Sequence, residues 1–179
     1  TYYSRFTHGL ITALSSPMAA GKLYDVDMRL RPSGRSGPVA TSLAAFKDYQ
    51  ENKAWTWEHL ALTRAQVVAG SKPVGEKIEG IRKSIVCRRR DPKTVAQDVI
   101  EMRDRIEKGK KTHSVIWDVK ARRGGLLDIE LIAQTYCLLG NSAVRKPAEQ
   151  LSAAAEQGLL GKEDAEALAQ AHIFFKTFQ

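Results

Sequence analysis

Tyr2, Phe6, Leu10 and Leu14 recur at helical spacing, which predicts a short amphipathic helix over 2–15, broken at Pro17 and turned at Gly21. The period then changes. "LYDVDMRLR" (23–31) alternates strictly, with Tyr24, Val26, Met28 and Leu30 on one side and Asp25, Asp27, Arg29 and Arg31 on the other, which predicts a β-strand. Pro32 ends it, and "PSGRSGP" (32–38) reads as a loop. A helix over about 43–52, capped by Thr41 or Ser42, turns Leu43, Phe46 and Tyr49 or Gln50 inward. From 54 onward the period is helical almost throughout. Helices are expected over 54–70, closing at Gly70, and over about 74–86. The next covers 94–107, with Val95, Val99, Met102 and Ile106 on one stripe and Thr94 as cap. Three more are expected over about 127–139, ending at Gly140-Asn141, over 146–157 and over 162–177. "HSVIWDVK" (113–120) is β-capable. The pattern sets a boundary near 54, between a mixed α/β part, 1–53, and a helical bundle, 54–179.

The charged row of the expected strand admits two readings. It is either a wet face whose cross-strand ion pairs are worth a few tenths of a kcal/mol each, or two acids and two guanidiniums forming a metal-and-phosphate site.

Composition narrows the function classes. The chain has 179 residues, 43% apolar and 27% charged, as in an ordinary soluble protein of one domain or parts of two. It has no apolar run long enough to span a membrane and no signal pattern, so a cytoplasmic location is the expectation. Beginning at Thr1 in what reads as mid-helix, it looks like part of a longer protein. Cys87 and Cys137 lie far apart without C-x-x-C spacing, and His8, His59, His113 and His172 are scattered, so neither set suggests a metal site or a nucleophile.

The net charge of +8 is concentrated centrally, with nineteen basic against eleven acidic residues over 61–150. "CRRRD" (87–91), "KGKKTH" (108–113) and "KARRGG" (120–125) suit phosphates or an acidic surface. Nucleic acid is not favoured, because aromatics are 7% of the chain and none is interleaved with these runs.

Three blocks, "VDMRLRPSG" (26–34), "DYQENKAWTWEHLALTRAQVVAG" (48–70) and "DVKARRGGLLDIELIAQ" (118–134), together resemble the glutamine synthetase adenylyltransferase family. "AWTWEH" (54–59) looks like the adenylylating half of that enzyme. The resemblance implies a mainly α chain, in which the remnant of an α/β nucleotidyltransferase sheet precedes an all-α helical bundle. It implies AMP transfer from ATP to a tyrosine of glutamine synthetase, with Mg²⁺ and under control of a PII signalling protein. Asp27 then matches the family's third catalytic, metal-binding carboxylate. The family's Gly-Ser turn and D-x-D pair would lie before residue 1, so the chain alone is expected to be inactive. A magnesium-assisted phosphoryl-type transfer uses carboxylates from more than one strand.

Within the same resemblance, Arg29 and Arg31 would meet the triphosphate, and Lys120 matches the lysine of the family's "DIK" and would reach a phosphate. Gly124-Gly125 would bring backbone close to an anion at a helix N-terminus. Asp128 and Glu130 match the family's "DIE", where dipole stabilisation or pairing with basic neighbours is the preferred role. Arg64, on an otherwise apolar helix, calls for an acidic partner, Glu58 or a residue of the sheet. Trp55 and Trp57 are expected to pack between the two parts. Arg122-Arg123 and Leu131 depart from the family's acidic residue and Phe. Two other readings are the deadenylylating half of the same enzyme, which uses phosphate, and a non-catalytic helical interaction module.

Overall fold

The helical periods are realised in a computed structural model that describes residues 2–109 and 118–178. Its described residues form α1 (Tyr2–Ser15), α2 (Leu43–Asn52), α3 (Thr56–Thr63), α4 (Lys72–Val86), α5 (Pro92–Lys108), α6 (Leu126–Leu139), α7 (Pro147–Glu156) and α8 (Lys162–Thr177), with a 3₁₀ turn at Gly34–Ser36. The chain divides into two units, Thr1–Ala54 and Trp55–Gln179. No helix among the described residues is long and apolar enough to cross a membrane.

In the first unit α1 forms as its spacing predicts but buries none of its residues, and Tyr2 stacks on Phe6 with ring centroids 6.5 Å apart. Helix α2 starts where Ser42 Oγ accepts from the Ala45 N–H at 3.2 Å, so Ser42 rather than Thr41 is the cap. The strand expected over 23–31 is not found, and the described residues contain only an isolated bridge, Met18 to Gly21. Alternation is necessary for a half-buried strand but needs a ladder partner to become one. Here the local polar side chains win. The Asp27 carboxylate accepts from the Arg29 N–H at 2.9 Å, an Asx turn that pulls the backbone out of line. Successive turns then run through Met28, Arg31 and Gly34. Tyr24 and Leu30, meant for the buried face, are 64% and 54% exposed.

The second unit is built around α6. One core cluster joins Ile129 and Ala133 of α6 to Leu151 of α7 and Ala165 of α8, flanked by Leu160, Leu168 and Phe175. Leu60, Ile85, Val86, Val95, Cys137 and Leu138 are also buried, on α3 to α6. Helix α5 is capped by Asp91, which accepts from the Thr94 N–H and hydroxyl at 2.9 and 2.7 Å, so Thr94 is a donor to the cap and not the cap itself. Burial pushes the Cys137 thiol up to about 11, and it donates to the Ser142 carbonyl at 3.1 Å, consistent with a packing rather than a reactive role. Of the β-capable run, 113–117 lies outside the described residues and 118–120 belongs to a turn.

Helix α3 ends at Thr63, several residues before the Gly70 stop expected from its period. Two arginines hold the carbonyls at its end. Arg82, 2% exposed, donates to the Thr63 carbonyl at 3.0 Å and to the Ala143 carbonyl at 2.6 Å, while Arg145 donates to the Ala65 carbonyl at 2.9 Å. Glu79 receives both guanidiniums. Trp55, at the N-cap of α3, is 64% exposed and Trp57 38%, so neither is a core residue. The visible work of that block is the Glu58 carboxylate taking the Trp55 N–H at 2.9 Å.

Burial raises the Glu79 carboxyl, but the hydrogen bonds and charges of Arg82 and Arg145 outweigh it and hold the group below its ordinary 4.5. A carboxyl lowered in the folded chain contributes stability that is complete above 4.5 and is lost as pH falls through its folded value. Urea midpoints of the parent and Glu79→Gln are therefore expected to differ most near neutrality, and their gap to shrink as pH falls below 4.5 toward the lowered folded value. A gap independent of pH contradicts this.

Candidate functional site

The residues of the expected charged row line one open cavity of about 480 Å³ in the first unit, with Ser15, Lys22, Val26 and Met28. Both oxygens of Asp27 face Arg29, whose Nε donates at 3.0 and 2.8 Å and whose Nη2 donates at 2.6 Å. Bonding to Asp27 and its charge raise the Arg29 guanidinium above its ordinary value. Arg31 is spent differently. Its Nε donates to the Gly37 carbonyl at 3.1 Å and its Nη1 to the Met28 carbonyl at 2.8 Å, which folds the 32–38 loop back on this segment. A Cβ on Gly37 would stand 1.9 Å from the Pro32 carbonyl oxygen, so the return requires glycine. Asp25, its side chain 91% exposed, pairs with Lys22.

Mg²⁺ takes oxygen ligands in near-octahedral geometry. Among the described residues no three His, Cys, Asp or Glu side chains are grouped to hold a metal, and the Asp27 oxygens already accept from Arg29. These residues do not by themselves fit the ion.

The remaining candidates lie in the second unit. Arg64 Nη1 reaches Glu130 Oε2 at 2.7 Å, so its acidic partner is Glu130 of α6 and not Glu58, which is committed to the start of α3. The other Glu130 oxygen lies 3.5 Å from Nε2 of the buried His172. Asp128, two residues earlier, has different partners: the Arg103 guanidinium and the Gly124 N–H, the latter at 2.8 Å. Arg103 also donates to the Ala121 carbonyl at 3.3 Å.

The Lys120 side chain is exposed, and its carbonyl accepts from Leu127 N–H at 2.9 Å. Val119 and Arg122 carbonyls take the Leu126 and Gly125 amides, each at 2.9 Å. The first amides of α6 are thus used by the preceding loop and not presented to an anion, which corrects the expected role of Gly124-Gly125. Those glycines serve the loop itself. Gly124 has φ +76°, and a Cβ on Gly125 would lie 2.6 Å from the Val119 oxygen. Arg123 anchors this loop to α5 through Glu107 at 2.6 Å and Asp104 at 3.6 Å.

Sequence reasoning missed Lys22 and Arg103. Lys22 sits three residues from Asp25, a spacing that would have flagged it, whereas the tie of Arg103 to Asp128 spans 25 residues and left no local signal.

Residues 1–81 match the family model described as glutamate-ammonia ligase adenylyltransferase. A bifunctional glutamine synthetase adenylyltransferase/adenylyl-removing enzyme from Bradyrhizobium diazoefficiens is 49% identical over 176 residues, 93% of this chain. The chain belongs to the glutamine synthetase adenylyltransferase family. Relatives of the same description from Xanthobacter autotrophicus and Rhizobium meliloti are 46% and 45% identical over 95% and 97% of the chain. Residues 93–179 match a second model, GlnD PII-uridylyltransferase. The chain spans 17% of the length of the Bradyrhizobium adenylyltransferase and 18% of the other two. In this member of the adenylyltransferase family, "VDMRLRPSG" and "DVKARRGGLLDIE" are both arginine-held turns.

Proposed function

We propose that the chain is part of the adenylylating half of a glutamine synthetase adenylyltransferase, which transfers AMP from ATP to a tyrosine of glutamine synthetase. The observation that supports this most is the open cavity gathering Lys22, Arg29 and Arg31 with Asp25 and Asp27, a balance of cations and carboxylates suited to a polyphosphate and its counterion. Asp27 is the catalytic carboxylate; it would give an oxygen to the Mg²⁺ that such a transfer uses, whose remaining ligands would have to come from the rest of a protein of the relatives' length. Arg29 is the phosphate contact. Arg31 shapes the cavity by holding its loop and adds positive field. Lys120, exposed on the second unit, is a further phosphate contact. The unit Thr1–Ala54 is then the end of the nucleotidyltransferase domain and Trp55–Gln179 its helical bundle. PII signalling protein is the proposed regulator.

The relatives are named for two activities, so the second reading is the adenylyl-removing half. There phosphate attacks the adenylyl phosphorus and releases ADP and the free tyrosine. The full-length protein, given ATP labelled at the α-phosphate and unmodified glutamine synthetase, is expected to label a tyrosine in a Mg²⁺-dependent reaction. Absence of label contradicts the proposal.

A further inference from the structure

Arg103 stands outside the three blocks that carry the resemblance, yet it holds the loop that one of them forms. From α5 its guanidinium bonds the Asp128 carboxylate in the first turn of α6, with Nη2 to Oδ2 at 3.4 Å, and the same Nη2 donates to the Ala121 carbonyl at 3.3 Å. Asp128 passes the hold on by accepting the Gly124 N–H at 2.8 Å. The Arg103 and Asp128 side chains are 13% and 22% exposed, so water weakens this tie little. Lys120 stands on the backbone so held. Its N–H donates to Asp118 Oδ1 at 3.2 Å, its carbonyl accepts from the Leu127 N–H at 2.9 Å, and the next amide, of Ala121, donates to Asp118 Oδ1 at 3.0 Å. The base of Lys120 is therefore fixed on both sides while its side chain is exposed. A long ammonium side chain with free rotamers reaches an anion reproducibly only from such a base.

We infer that Arg103 is a positioning residue for Lys120: from α5 it sets the 118–125 loop so that the lysine ammonium meets a nucleotide phosphate. This rests on the proposed function, in which Lys120 is a phosphate contact. Arg123 ties the same loop to α5 through Glu107 and Asp104, but from a side chain 70% exposed, where ion pairs hold weakly. Arg103 is the more buried tie, and it holds the loop on both sides of Arg122, at the Ala121 carbonyl directly and at the Gly124 amide through Asp128.

The test is equilibrium binding of ATP with Mg²⁺ to the full-length protein. Arg103→Met and Lys120→Gln are each expected to weaken binding about five- to tenfold, and the double variant to bind no more weakly than Lys120→Gln, because an absent lysine cannot be misplaced. Asp128→Asn keeps an acceptor for the Gly124 N–H but loses the charge that holds Arg103, and it serves as the second variant should Arg103→Met fail to fold. Its loss is expected to vanish in the Lys120→Gln background in the same way. Arg105→Gln removes an equal charge from α5, where Arg105 pairs with Glu101 of its own helix, and is expected to leave binding unchanged. Additive losses, or an equal loss from Arg105→Gln, overturn the positioning role. Unchanged binding in Lys120→Gln overturns it together with the Lys120 contact. Adenylyl transfer is a separate readout: transfer without the coupling overturns the positioning role alone, and coupling without transfer overturns the adenylylating reading alone.

Discussion

Arg82→Met lowers the stability of the helical unit by about 3–5 kcal/mol, because it removes one partner of a buried charge network and leaves the others in place. Arg82 is 2% exposed and serves three elements at once: Glu79 one turn earlier on α4, the Thr63 carbonyl at the end of α3, and the Ala143 carbonyl before α7. A thioether fills the space of the stem but donates nothing. The carbonyls of buried Thr63 and half-buried Ala143 lose their donor, and Glu79 is left with Arg145. Arg145→Met is expected to cost less, since that side chain is 35% exposed and water replaces part of what it gave. Urea denaturation of the 179-residue chain, followed by the helical signal, reads both variants. An Arg82→Met midpoint equal to that of the parent contradicts the network as a keystone of the unit.

The same network explains what the sequence could not show. The starts and ends of α1, α2 and α4 to α8 lie close to the positions that their periods predict, because those signals are local: an apolar repeat, Ser42 at a cap, a glycine at the end; the cap of α5 is Asp91 where the sequence reading took Thr94. Helix α3 stops early for a reason that is not local. The donors that take its end carbonyls come from 19 residues beyond Thr63 and 80 beyond Ala65. The acidic partner of Arg64 is likewise 66 residues away, on α6, so neither alternative from sequence, Glu58 or a residue of the sheet, was right. The strand over 23–31 failed differently. Its alternation was real, and the bond that Arg29 N–H donates to the Asp27 carboxylate two residues earlier broke the extended line. The face that periodicity assigned to Asp25, Asp27, Arg29 and Arg31 nevertheless lines one cavity, so co-location was legible while the pairing within it was not.

Asp27→Asn is expected to lower adenylyl transfer by the full-length protein on the order of 10²–10³-fold, the scale set by deleting one preorganised electrostatic contact to a reacting centre. Asparagine keeps the shape and one oxygen acceptor but loses the negative charge on which the proposed role depends. Asp25→Asn, in the same cavity, is expected to change the rate only a few-fold. Its side chain is 91% exposed and pairs with Lys22, and among the described residues no backbone bond fixes its direction. The two acids are two residues apart, so a loss caused by field or by folding of the segment would fall on both.

The measurement that bears most directly on the central claim is therefore the paired assay of Asp27→Asn and Asp25→Asn, scored for labelling of unmodified glutamine synthetase and for phosphate-dependent removal from the adenylylated form. The account predicts that Asp27→Asn loses labelling and keeps removal, while Asp25→Asn keeps both. Equal loss of labelling from the two variants, or loss of removal with labelling intact in Asp27→Asn, would contradict it.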